Sequence, residues 1–420
     1  MTDDSKQPRM HLVRQRLDEA EVACFDERLA AETRATLADQ GVGNGARIAI
    51  SVGSRGVSPI LEVVSAIVES IRAVGGEPFV VPAMGSHGGG TSAGQIGVLA
   101  SYDITEATLG VPVRATMDTV CLGETDQGVA VHMDALAAAA DGIVVIGRVK
   151  PHTSFRGPIE SGLCKMLVIG LGNRVGAESI HAHDLGRAIP TAARLALEKA
   201  RVVMGVALVE NALDRPYQLS VVGPDLFEHT DQALLAVARR VLPRIPLDKL
   251  DLLLVDRMGK DVSGTGMDPN VIGMWRRLPD VRREPAYQWL AVLGLTEQSH
   301  GNAVGIGMAD LTSLKLKNAI DPVPTYANVL TSMSVGMAKT PVTLPTDAEC
   351  YATGLMLAAR SAIGPVRVAR IANTMHLETF WVSEASVPDL PGGCEVVSSK
   401  RPFGFGDDGS ILEDGVFAID

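Results

Sequence analysis

Short β-branched runs alternate along this chain with Ala/Leu-rich segments of helical length. That is the pattern of an α/β fold. Arg47-Ile48-Ala49-Ile50-Ser51 predicts a buried strand, and Gly53-Ser54-Arg55-Gly56 a tight turn after it. Ser58-Pro59 supplies an N-cap and an N1 proline for a helix reaching Ala73, closed by Gly75-Gly76. Phe79-Val80-Val81 is the next strand, running into the glycine-rich turn Gly85-Ser86-His87-Gly88-Gly89-Gly90. The alternation repeats with a helix over 134–140, a strand over 142–147, a helix over 190–199 opened by Pro190, and a strand over 202–208. Pro243-Arg244-Ile245-Pro246 reads as a linker, and Leu252-Leu253-Leu254-Val255-Asp256 opens a second run of strands and helices. That run includes the apolar segment 303–308, a helix near 346–359 and the segment 366–371. From Pro391 onward the chain is rich in turn residues.

The expectation is two α/β domains, 1–245 and 246–420, with mainly parallel sheets flanked by helices and an active site in the crevice between them. In open α/β sheets ligands sit beyond the carboxyl ends of strands. Arg55, His87 and His152 each follow such an end.

The bulk numbers narrow the class of function. Of 420 residues, 46% are hydrophobic and 21% charged, enough for a sizeable core. A net charge of -11 without a dense basic tract argues against nucleic acid or an anionic membrane as partner. A small anionic substrate needs only a local basic pocket. Cys24, Cys121, Cys164, Cys350 and Cys394 are scattered and never paired as C-x-x-C, which speaks against a disulfide framework or a cysteine zinc site. The polar start, and the lack of any run of roughly 18 apolar residues, predict a cytoplasmic protein.

The densest candidate chemistry lies at Lys150-Pro151-His152-Thr153-Ser154-Phe155-Arg156-Gly157, Gly162-Leu163-Cys164-Lys165 and His181-Ala182-His183-Asp184. His87 sits in a loop almost without side chains, where backbone comes close to a ligand and N–H groups face an anion. The other assignment for it is a turn histidine beside a helix cap. His-Gly-Gly-Gly also resembles an esterase oxyanion loop, but no G-x-S-x-G elbow accompanies it. Lys165, among Leu163, Cys164, Met166 and Leu167, is either a desolvated nucleophile or a snorkelling residue at an element edge. His181 and His183 offer imidazoles for a transition metal, and on a helix only one of them would face it. Gly170-Leu171-Gly172 follows a strand-like run, but the third glycine of a dinucleotide fingerprint is displaced to Gly176. Arg55 suits a carboxylate or phosphate, or is a solvated surface arginine. His132, His229, His300 and His376 stand alone and read as structural.

These elements in order resemble the nickel-pincer-nucleotide-dependent lactate racemase family: the Arg55 turn, the Gly-Ser-His87-Gly loop, Pro151-His152 with Gly162-x-x-Lys165, and His181. The resemblance covers the N-terminal half closely and the rest through length and a two-domain plan. It implies a pincer nucleotide attached covalently to Lys165, with nickel held by that group and by His181. His87 and His152 would serve as alternating acid and base on the two faces of a 2-hydroxy acid. Hydride would leave the substrate carbon and return to the opposite face of a 2-keto acid. Arg55, Gly88 and Gly89 would line the cofactor and substrate site. Lys260 would meet substrate from the second domain, which closes over it. Cofactor-synthesis proteins would be partners. The sequence departs from the family at Val52, where an acidic residue is usual, at Ser161-Gly162-Leu163-Cys164-Lys165, where Gly-Gly-x-Lys is usual, and at Ile169-Gly170 for Pro-Gly. These departures leave the 2-hydroxy acid open. Two other functions fit the same residues: a metal-independent Schiff-base lyase or aldolase using Lys165, and a non-catalytic cofactor-binding protein.

Overall fold

The alternation of the first half builds a five-stranded sheet in the order Glu77–Pro82, Arg47–Val52, Gly142–Arg148, Val202–Glu210, Pro216–Val222. The first four strands are parallel and the last is antiparallel to its neighbour. Successive side chains on a strand face opposite ways. Ile48, Ile50 and Val52 therefore enter one core, with Leu29, Leu37, Val63 and Ile67 of the helices Phe25–Asp39 and Ile60–Ala73. Ala49 enters the other, with Ala188, Ala192 and Leu234 of the helices Leu185–Lys199 and Phe227–Val241. Both faces of the sheet are thus covered by helices.

The computed structural model describes residues 7–54, 59–398 and 401–412. The chain divides into two compact units, Asp18–Leu242 on one hand and Met1–Leu17 with Pro243–Asp420 on the other. The second unit carries an eight-stranded sheet. Its parallel part runs Val342–Leu344, Leu311–Ser313, Ala286–Val292, Lys249–Val255, Val368–Ile371. Three antiparallel strands complete it: Thr379–Ser383, Met10–Gln15 and Cys394–Val396. The α/β class with mainly parallel sheets is as the sequence pattern predicts. The first seventeen residues differ from the expected 1–245 grouping. Met10, Leu12 and Val13 are buried in the other unit's cores because their strand pairs with Thr379–Ser383.

Local differences have local causes. The helix expected to open at Pro190 runs Leu185–Lys199 with the proline inside it, because Asp184 caps it by accepting the Arg187 N–H. Asp134 caps a single turn, Ala135–Ala138, rather than a helix over 134–140. Pro59, not Ser58, is the N-cap of Ile60–Ala73, and Ser58 lies outside the described residues. The segment 303–308 yields one tight turn, Ile306–Met308. The strand-like run before Gly172 is a π-turn, Met166–Gly170, so no strand precedes that glycine pair. Among the described residues no helix is long and apolar enough to cross a membrane.

Candidate active site

In the unit 18–242, several strand ends and loops converge on one stretch of chain, the residues from Lys165 to His181. Gly53, just past the Arg47–Val52 strand, lies against Met166; a Cβ there would be 3.0 Å from Met166 Cε. Ser54 follows, and its Oγ is 2.5 Å from His87 Nδ1. The His87 loop is docked by Gly85, whose N–H donates to the Gly170 carbonyl at 3.0 Å and whose carbonyl accepts from Gln95 Nε2 at 3.1 Å. Gly88, Gly89 and Gly90 are all left-handed, with φ of 66°, 69° and 63°. Gly88 is required twice over, because a Cβ would also sit 2.7 Å from the Gln95 nitrogen. The loop then enters the helix Ser92–Ala100 through a Thr91 cap.

His152 lies in the loop after Gly142–Arg148. The Ser154 N–H donates to His152 Nδ1 at 3.0 Å, so the neutral ring carries its proton on Nε2. Glu160, fully buried, shapes this loop. It accepts from His152 N (2.8 Å) and Gly157 N (3.2 Å), and pairs with Arg156 (3.2 Å) and Arg239 (2.7 Å). Phe155 joins two of the candidates: its ring centroid is 4.5 Å from that of His152 and 5.8 Å from Lys165 Nζ.

Lys165 closes a single helical turn, Leu163–Lys165, that runs directly into the π-turn. The turn's N-terminus is held from another helix. Asp231 accepts from the Leu163 and Cys164 N–H groups, each at 2.8 Å. Gly162, at φ 96°, has no room for a side chain, since a Cβ would overlap the Asp231 carboxylate. Burial pushes the Asp231 carboxyl up to about 7 despite those donors. Burial, with Asp231 beside it, also drives the Cys164 thiol well above its usual range, which makes it a packing residue rather than a nucleophile. The helix Asn173–His181 ends on the candidate metal ligand. A carbonyl can only accept, so His181 Nδ1 donates to Ala177 O at 2.6 Å and the neutral ring's lone pair lies on Nε2. Ala177 also packs against the Gly85 position.

The structure therefore gathers the His87, His152, Lys165 and His181 segments within one unit. Lys260 belongs to the other, just past the Lys249–Val255 strand; its Nζ donates to Gly264 O (2.6 Å) and Asn328 Oδ1 (3.4 Å). Arg55 lies outside the described residues. His183 is exposed, beside the Asp184 cap. Among the described residues no group of three or more His, Cys, Asp or Glu side chains is set to hold a metal ion. Ser54, Phe155, Glu160 and Asp231 carry the site's architecture without having been singled out in the sequence. One of them left a trace: Asp231 interrupts the buried stripe Phe227, Leu234, Leu235, Ala238 of its helix.

Residues 12–188 match the family model described as the lactate racemase N-terminal domain. The solved apoprotein of lactate racemase from Thermoanaerobacterium thermosaccharolyticum is similar in fold, with a TM-score of 0.50 and 10% identity. The match covers 87% of this chain and 98% of that one. A comparison with curated proteins finds no match.

Proposed function

Residues 12–188 belong to the lactate racemase N-terminal domain family, and on that premise we propose that this chain is a racemase or epimerase of a small 2-hydroxy acid, using a nickel-pincer nucleotide held at Lys165. The observation that supports this most is the convergence of the His87 and His152 loops on the Lys165–His181 stretch. The residues present fit the group. Lys165 offers an amine over the Phe155 ring. His181, its Nδ1–H fixed by a backbone carbonyl, has the orientation common to metal-bound imidazoles. The left-handed glycines 88–90 leave backbone open to close approach.

When bound, the group supplies a hydride acceptor, which the unactivated carbon–hydrogen bond of a 2-hydroxy acid requires. The protein's own part is proton handling and positioning. His152, with Nδ1 tied to Ser154 N–H, holds its exchangeable proton at Nε2. His87, with Nδ1 against the Ser54 hydroxyl, is the second imidazole. Imidazoles ordinarily titrate near neutrality, so the two can exchange the roles of acid and base at the substrate hydroxyl with little penalty. Arg55 is assigned to the substrate carboxylate, a contact that would keep the rest of the molecule still while one carbon changes configuration.

The test is production of the protein with and without the cofactor-synthesis proteins. Intact mass and nickel content are read first. Loss of optical purity is then followed for a panel of chiral 2-hydroxy acids. A mass increment on Lys165, nickel and racemisation are expected together. Absence of both adduct and nickel under permissive conditions refutes the proposal.

A further inference from the structure

Far from these residues in sequence, the helix Pro322–Thr331 buries Thr325 and Val329 and turns its other face outward. Val323 is 76% exposed, Tyr326 55% and Leu330 65%, and the turn that follows adds Met333 at 73% and Val335 at 61%. Positions 323, 326 and 330 fall on one side of the helix. Scattered exposed apolar residues need no explanation, but five large ones on one helix side and the turn that directly follows it do. Together they present on the order of 600 Å², the upper end of what a monomer exposes as one patch.

We propose that this face is a homodimer interface, occupied by the same face of a second copy of the chain. Two observations select that partner. First, residues 322–338 contain no Asp, Glu, Lys, Arg or His, in a chain of which 21% is charged and whose net charge is -11. A two-fold contact brings a surface against itself, so a charge near the axis meets its own sign, and one away from it needs an opposite charge elsewhere on the same face. An uncharged face on an acidic chain is where two copies can meet without repulsion, whereas a basic or acidic partner finds nothing there to pair with. The uncharged run is bounded by exposed Asp321 at one end and exposed Lys339 at the other. Antiparallel pairing therefore sets the acidic end of one copy against the basic end of its partner. Second, burying the patch on both copies removes roughly 1,200 Å², above the ~1,000 Å² that a specific interface requires.

Sedimentation velocity over a series of dilutions tests this, with Leu330→Lys and Met333→Lys as variants whose side chains are already in solvent. The full chain is expected to sediment as a dimer, and both variants as monomers with the parent's far-UV circular dichroism. Lys339→Asp, also at an exposed position, should shift the equilibrium toward monomer; no shift overturns the antiparallel pairing. A parent that is monomeric throughout, or a dimer that persists in the lysine variants, overturns the interface. So does a monomer in which amides 322–335 already exchange slowly, because another part of the chain then covers the face.

Discussion

Replacing Asp231 by asparagine tests the account of how Lys165 is held. The parent carboxylate is buried, and its pKa is moved from 3.8 to about 7 by that burial. The folded state thus holds this proton more tightly than the unfolded state. The stabilisation it brings is complete below pH ~3.8 and is lost as pH rises through about 7. Three units correspond to about 4 kcal/mol in all, at ~1.4 kcal/mol per unit. Between pH 5.5 and 8.5 the folded carboxyl gives up its proton while the unfolded one is already ionised, so roughly 2 kcal/mol falls in that window. The asparagine side chain cannot titrate. It also turns an amide N–H toward one of the two backbone donors at Leu163 and Cys164, a pH-independent cost of about 1–3 kcal/mol. Denaturant melts of both proteins at several pH values give the difference directly, since every other titrating group cancels. The stability of the parent minus that of the variant should fall by about 2 kcal/mol from pH 5.5 to 8.5. Parallel curves would refute the reasoning.

Glu160→Ala should cost about 1–3 kcal/mol in a denaturant melt, because two partly buried N–H groups lose their acceptor while Arg156 and Arg239 can still reach water. Gly89→Ala and Gly88→Ala both force a left-handed residue, at about 1–2 kcal/mol each. Gly88→Ala should lose distinctly more stability, since only its Cβ meets the Gln95 backbone. His181→Ala should separate two readouts in protein made with the cofactor-synthesis proteins: the mass increment on Lys165 persists while bound nickel falls. Equal nickel in the variant and the parent would remove His181 as a ligand.

The buried parallel strands were the most legible part of the sequence. Arg47–Val52 and Gly142–Arg148 are covered on both faces, so each reads as a near-continuous apolar run. The same rule misled at Met166–Gly170, where a short apolar run turned out to be a π-turn. Short apolar runs do not separate strand from helix by period. Pro190 invited a helix start, but Asp184 had already supplied the cap upstream of that start. At the site, the histidines and Lys165 were visible because their chemistry is uncommon in such company. Glu160 and Asp231 were not, because what they hold in place is backbone N–H groups, with Arg239 also reaching Glu160 from a distant helix; the N–H partners of Asp231 lie 67 and 68 residues away. Nor could periodicity show that Met10–Gln15 pairs with a strand near residue 380.

That last pairing bears on how the protein is made. Met10–Gln15 lies between Thr379–Ser383 and Cys394–Val396, so both of its neighbours are translated long after it. At about 5–20 residues per second, the strand waits roughly 20–75 s on the ribosome with both edges bare. Meanwhile Asp18–Leu242 can complete its own sheet, in effect as an insertion between the first strand of a domain and the remainder of it. A gene that moved residues 1–17 to the C-terminus would shorten that wait. A fragment starting at Pro243 would instead leave Thr379–Ser383 and Cys394–Val396 each without their shared partner, and such uncovered edges recruit other chains.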